Sequence, residues 1–124
     1  MAQVFGGFLP FKEIKAVTAS RVVEAAENGT LFEVTGGSGV TFTLPAKAAN
    51  LIYYFVNTVD QNMTVESAGS LDDIIAMHDA AADSIAFSTS SQKIGAVLCV
   101  FANHDASKWI AMNLSAGANT ATAA

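Results

Sequence analysis

The sequence predicts an all-β domain, a sandwich or jelly-roll-like fold of about eight strands with an extended N-terminal arm. Three observations carry that expectation. Short segments rich in β-branched and aromatic residues recur roughly every eight to twelve positions, punctuated by Gly, Asn, Asp and Ser. Several of them alternate between apolar and polar residues, the period of a half-buried strand. Sustained helical periodicity is absent, and only LDDIIAMHDAAAD offers a helical turn in competition.

In chain order, the first element is the arm, MAQVFGGFLPF, with Phe5, Phe8 and Phe11 three residues apart. Gly6, Gly7 and Pro10 deny it a helix, because Gly loses most backbone entropy there and Pro removes a ladder donor. The expected division is an arm over 1–19, a sandwich over 20–115 and a flexible tail over 116–124. TLFEV and VTFTL follow, with Val40, Phe42 and Leu44 inward and Thr41 and Thr43 outward. The intervening TGGSG supplies the positive-φ positions of a hairpin loop. LIYYFVN leads through the turn VDQN into MTVES; SIAFS, IGAVLCVFAN and KWIAMNLS complete the set, the last two joined by HDAS. SAGANTATAA has no apolar period and reads as a mobile tail.

Two of these strands are apolar on both sides. LIYYFVN presents Leu51, Tyr53 and Phe55 to one face and Ile52, Tyr54 and Val56 to the other. AVLCVFAN presents Ala96, Leu98 and Val100 against Val97, Cys99 and Phe101. A sandwich core needs one face of each strand. The second faces call for another subunit or a partner, with Tyr53, Phe55 and Phe101 expected at an oligomer interface. The arm, through Phe5, Phe8, Leu9, Pro10 and Phe11, either docks on a neighbouring subunit or partner or forms the domain's own first strand.

Composition narrows the function classes. Charged residues make up 14% of the 124 residues and the net charge is −5. Affinity for nucleic acid rests on Lys and Arg neutralising phosphates, and the six basic residues are scattered, so no nucleic-acid partner is expected. No segment approaches the ~20 apolar residues of a membrane helix, and the N-terminus lacks a signal-peptide pattern. The expectation is a soluble protein made in a cytoplasm. Cys99 sits within AVLCVFA and reads as a small buried hydrophobe.

Catalytic signals are weak. Met77-His78-Asp79 and His104-Asp105 place acid and imidazole on opposite faces of any strand. No G-x-S-x-G elbow exposes Ser84 or Ser88. Asp72, Asp73, Asp79 and Asp83 lack the spacing of an EF-hand, and no His/Cys cluster has zinc spacing. Trp109 could stack on a sugar, but a lone Trp in an alternating strand more often anchors a core. The chain reads as a non-enzyme without a cofactor or metal.

From Arg21 to Leu114 the order of segments resembles the small β-sandwich head decoration (cement) proteins of tailed bacteriophages. The residues that carry the likeness are the Gly-rich loop into VTFTLPAKAANLIYYFVNTVDQNMTVES, an acidic loop, and KIGAVLCVFANHDASKWIAMN. A similar order occurs in some tail-fibre modules. The resemblance implies a virion structural protein, a homotrimer on the capsid exterior that bridges major capsid protein subunits. Its alternative is a tail-fibre or receptor- or carbohydrate-binding β-module. It transfers no catalytic residue, and the arm lies outside it.

Overall fold

The computed structural model describes residues 11–69, 71–115 and 119–124. It is all-β, with strands β1 (Glu13–Val17), β2 (Arg21–Val22), β3 (Thr30–Val34), β4 (Val40–Thr43), β5 (Ile52–Asn57) and β6 (Met63–Glu66) in the first half. The second half adds β7 (Ile74–Ala76), β8 (Asp79–Ala82), β9 (Ser84–Phe87), β10 (Val97–Ala102), β11 (Trp109–Asn113) and β12 (Thr122–Ala123). They form a large sheet of seven strands, ordered β1-β3-β5-β10-β11-β7-β8, and a small sheet of five, ordered β12-β9-β6-β4-β2.

The chain from β1 to β6 alternates between the sheets. β1, β3 and β5 stack in parallel in the large sheet, while β2, β4 and β6 do the same in the small one. TLFEV and VTFTL therefore form an arch between sheets rather than the expected hairpin. Gly37 and Gly39 do take positive φ, at 93° and 116°. That torsion serves the arch as well as it would a hairpin, and a Cβ on Gly37 would overlap the Thr18 carbonyl oxygen. The second half closes the coil with antiparallel strands, β10 beside β5 and β9 beside β6. LDDIIAMHDAAAD is the β7–β8 hairpin rather than a helix. The short helical turn that does form is a 3-10 turn at Ala25–Glu27.

Both expected end boundaries shift. β1 lies inside the expected arm, paired with β3 from Glu13↔Thr30 to Val17↔Val34. Within the expected tail, β12 pairs with β9, and Ala124 accepts from Asp83 N–H at 2.6 Å. Small residues suffice there because the pairing uses backbone groups, which carry no hydrophobic period. Asn119 anchors the same segment by donating to the carbonyls of Gln92 and Ile94.

The core lies between the sheets, where strict alternation puts it. Phe32, Phe42, Tyr53, Phe55, Phe87 and Trp109 are all fully or almost fully buried. Phe32 packs 5.5 Å from both Phe42 and Phe55, and Tyr53 lies 6.2 Å from Trp109, ring centre to ring centre. Burial pushes the Tyr53 phenol up to about 12, with the Glu27 charge adding to the shift. Its hydroxyl is satisfied by donating to the Glu24 carbonyl at 3.0 Å.

Glu27 staples the two sheets at one edge. Its carboxylate accepts from Lys15 on β1 and Arg21 on β2, and from the backbone N–H of Glu24. Burial alone would raise its pKa; the Lys15, Glu24 and Arg21 bonds outweigh that and hold it below the ordinary glutamate value. A carboxylate with a lowered folded pKa adds stability above its unfolded value, and loses it as pH falls through the folded one. Glu27→Gln is expected to destabilise the domain by about 2 kcal/mol at neutral pH, the scale of a hydrogen bond to a charged group. Urea unfolding at pH 7 and pH 3 checks this: the gap from the wild type should narrow at the lower pH.

Candidate functional site

The outer faces of the two sheets differ in character. On the small sheet, Thr41, Thr43, Thr64, Glu66 and Ser84 point outward, half-buried and polar. Beside β2 a shallow open groove of about 330 Å³ is lined by Ser20, Arg21, Val22, Thr41, Thr43 and Glu66. It is open to solvent and lacks the enclosure with which small-molecule sites bury a ligand.

The large sheet presents an apolar face outward. Strand register brings Ile14, Leu31, Tyr54, Cys99 and Met112 into one row across five strands. A second row runs from Ile52 through Phe101 and Ile110 to Ile75. The third holds Ala16, Glu33, Val56 and Val97. Glu33 is the only charged side chain in these rows. Ile14, Ile75, Met112 and neighbouring Leu114 are 37–55% exposed. Single exposed apolar residues are ordinary, but a contiguous patch marks an interaction surface. The parallel part of the sheet gives the same reading, because parallel strands are normally covered on both faces.

This geometry corrects part of the expected oligomer interface. Tyr53 and Phe55 point inward and are completely buried in the chain's own core, out of reach of any neighbour. Phe101 lies on the outward face, between Ile52 and Ile110. The outward side of the same strand carries Ile52 and Tyr54 instead. Parallel stacking was the signal that identifies the side: Phe32 is inward by the alternation of TLFEV, and Phe55 stands beside it.

Of the arm residues, Phe5, Phe8, Leu9 and Pro10 lie outside the described residues. Phe11 packs edge-on against Tyr54, ring centres 5.9 Å apart, and so approaches the outward face. Cys99, next to Tyr54 in the row, is buried, and burial pushes its thiol up, away from the reactive thiolate.

His78 is exposed at the β7–β8 turn. His104 stands 3.8 Å from Asp105 on the β10–β11 turn, its side chain 88% exposed. Trp109 is 1% exposed, unavailable for stacking on a sugar. The acidic loop is divided between partners. Asp73 pairs with Lys47, while Asp72 is raised by hydrogen bonding and charge from Asp83. Among the described residues, no group of three or more His, Cys, Asp or Glu side chains is placed to hold a metal ion, and no helix is long and apolar enough to cross a membrane. The chain matches no protein-family model and no curated protein.

Proposed function

We propose that this protein is a virion structural protein: a decoration, or cement, protein that binds the outside of a tailed-phage head as a homotrimer and bridges major capsid protein subunits. One observation carries the assembly part of the reading, the apolar outer face of the large sheet opposite a polar one. Such a sandwich offers one side to protein neighbours and one to solvent. The resemblance of Arg21 to Leu114 supplies the capsid. A trimer on a capsid engages several copies of its site at once, so modest contacts per subunit add up to tight attachment. The acidic balance suits an exterior position away from packaged DNA. We read the chain as a non-enzyme, because both histidines stand on exposed turns.

The carbohydrate-binding alternative loses its best stacking residue, since Trp109 belongs to the core. Two measurements test the proposal. Light scattering coupled to size exclusion should give three times the single-chain mass at micromolar concentration; a single-chain mass overturns the trimer. Co-sedimentation with undecorated phage heads should deplete the protein from the supernatant at a saturable ratio. Failure to sediment with heads overturns the capsid assignment.

A further inference from the structure

We propose that Asn28-Gly29 is a conformationally gated deamidation site. It is closed while the start of β3 is seated beside β5, and unfolding opens it. The inference is independent of the assembly reading.

Asn28-Gly29 is the one Asn-Gly pair in the sequence. In such a pair the backbone nitrogen that follows the Asn attacks its side chain readily, because Gly has no Cβ to shield that nitrogen and leaves its torsions free. The Gly29 nitrogen, having given its proton to solvent, bonds to Asn28 Cγ. The Cγ–Nδ2 bond breaks, Nδ2 takes a proton from solvent and departs as ammonia, and a succinimide ring remains. Water then opens the ring at either carbonyl, leaving Asp or isoaspartate. Water is the sole co-reactant.

The fold uses both residues. Gly29 has a φ of 83°, a left-handed torsion that a side chain would resist. Asn28 acts as an extra peptide group between β3 and β5. Its Oδ1 accepts from the Ile52 N–H at 2.7 Å, and its Nδ2 donates to the Asn50 carbonyl at 3.1 Å. The Gly29 N–H donates to the Ile52 carbonyl at 2.7 Å, and the Gly29 carbonyl accepts from the Lys12 N–H. The attacking nitrogen is thus bonded to Ile52, and the amide it must reach is bonded at both its ends. Asn28 and Gly29 are only half-buried, so hydrogen bonding rather than exclusion of water closes the site. Ring closure needs these bonds to release together, and the native rate follows the fraction of time the junction is open.

The product does not fit the place it came from. A carboxylate at position 28 has no donor for the Asn50 carbonyl and sets a negative charge beside it. Isoaspartate inserts an extra backbone carbon just ahead of Thr30, where β3 begins, and displaces the Gly29 N–H from Ile52. A chain that lingers unfolded therefore acquires an irreversible mark that hinders its return.

The test incubates the full chain in one mildly alkaline buffer, with urea well below and well above its unfolding midpoint. Peptide mapping by mass spectrometry follows amide-to-acid conversion at Asn28, and isoaspartate is quantified in the same digests. Conversion is expected to be slower in the folded chain by at least about tenfold. Equal rates overturn the gate. A chain carrying Asn28→Gln should lose the rapid whole-chain conversion in high urea; its persistence overturns the assignment to this pair. Asn28→Asp, the direct product, should lower the urea midpoint, and an unchanged midpoint overturns the misfit of the product. The rates are measured on the unsubstituted chain, so a variant that fails to fold leaves that comparison decisive.

Discussion

Phe32→Ala is expected to bring the domain close to unfolding. Phe32 is fully buried, and its ring lies within 6.5 Å of the Phe42, Tyr53 and Phe55 ring centres, linking both sheets. The Arg21 guanidinium also sits 5.0 Å over the ring. Truncating a buried Phe costs about 3–5 kcal/mol through lost transfer energy and the cavity left behind. Small domains have only about 5–15 kcal/mol in total. The urea midpoint should fall by a third or more with little change in slope. Phe101→Ala, on the outward face, should move it far less when measured under dissociating conditions. Equal effects from the two substitutions would show that the inward assignment of Phe32 is mistaken.

The second large effect concerns assembly. A chain carrying Tyr54→Lys and Phe101→Lys is expected to fold and to remain monomeric. In an isolated subunit each Lys can lay its methylenes along the sheet and hold its ammonium in water. Inside an interface the same charges would be buried without partners, at several kcal/mol each. Since 1.4 kcal/mol is tenfold in affinity, association should weaken by at least about 100-fold. Light scattering reads the mass and circular dichroism reads the fold. A variant that still associates would move the interface off this face. Tyr53→Lys and Phe55→Lys, on the inward side of the same strand, should instead prevent folding.

That contrast shows what the sequence could and could not specify. VTFTL states its own phase, because Thr41 and Thr43 leave no choice of inward face, and β4 follows it. LIYYFVN announces a strand covered on both sides but is silent about which side is which, since a period of two has no phase when both faces are apolar. The phase came from a neighbour, through the register of Phe32 with Phe55. The Gly-rich TGGSG was legible as a bend with positive φ. Torsion angles in a loop do not say whether the flanking strands pair with each other or leave for different sheets. The boundaries of β1 and β12 were illegible for another reason. EIKAV and TA take their places through backbone pairing at sheet edges, with few large side chains to mark them.

The parallel arches of the first half also bear on how the chain acquires its structure. Parallel strands cannot be joined by a tight hairpin, so each pairing must close a loop that itself contains a strand of the opposite sheet. β5 gains its last neighbour only when β10, beginning at Val97, arrives. Such non-local topologies fold on the millisecond-to-second scale, well behind helical bundles of similar size. Until β10 arrives, LIYYFVN is an apolar segment with an open backbone edge, the kind of surface on which unfinished chains aggregate. Yield on expression should therefore depend on temperature and on chaperone supply more than the stability of the finished domain would suggest.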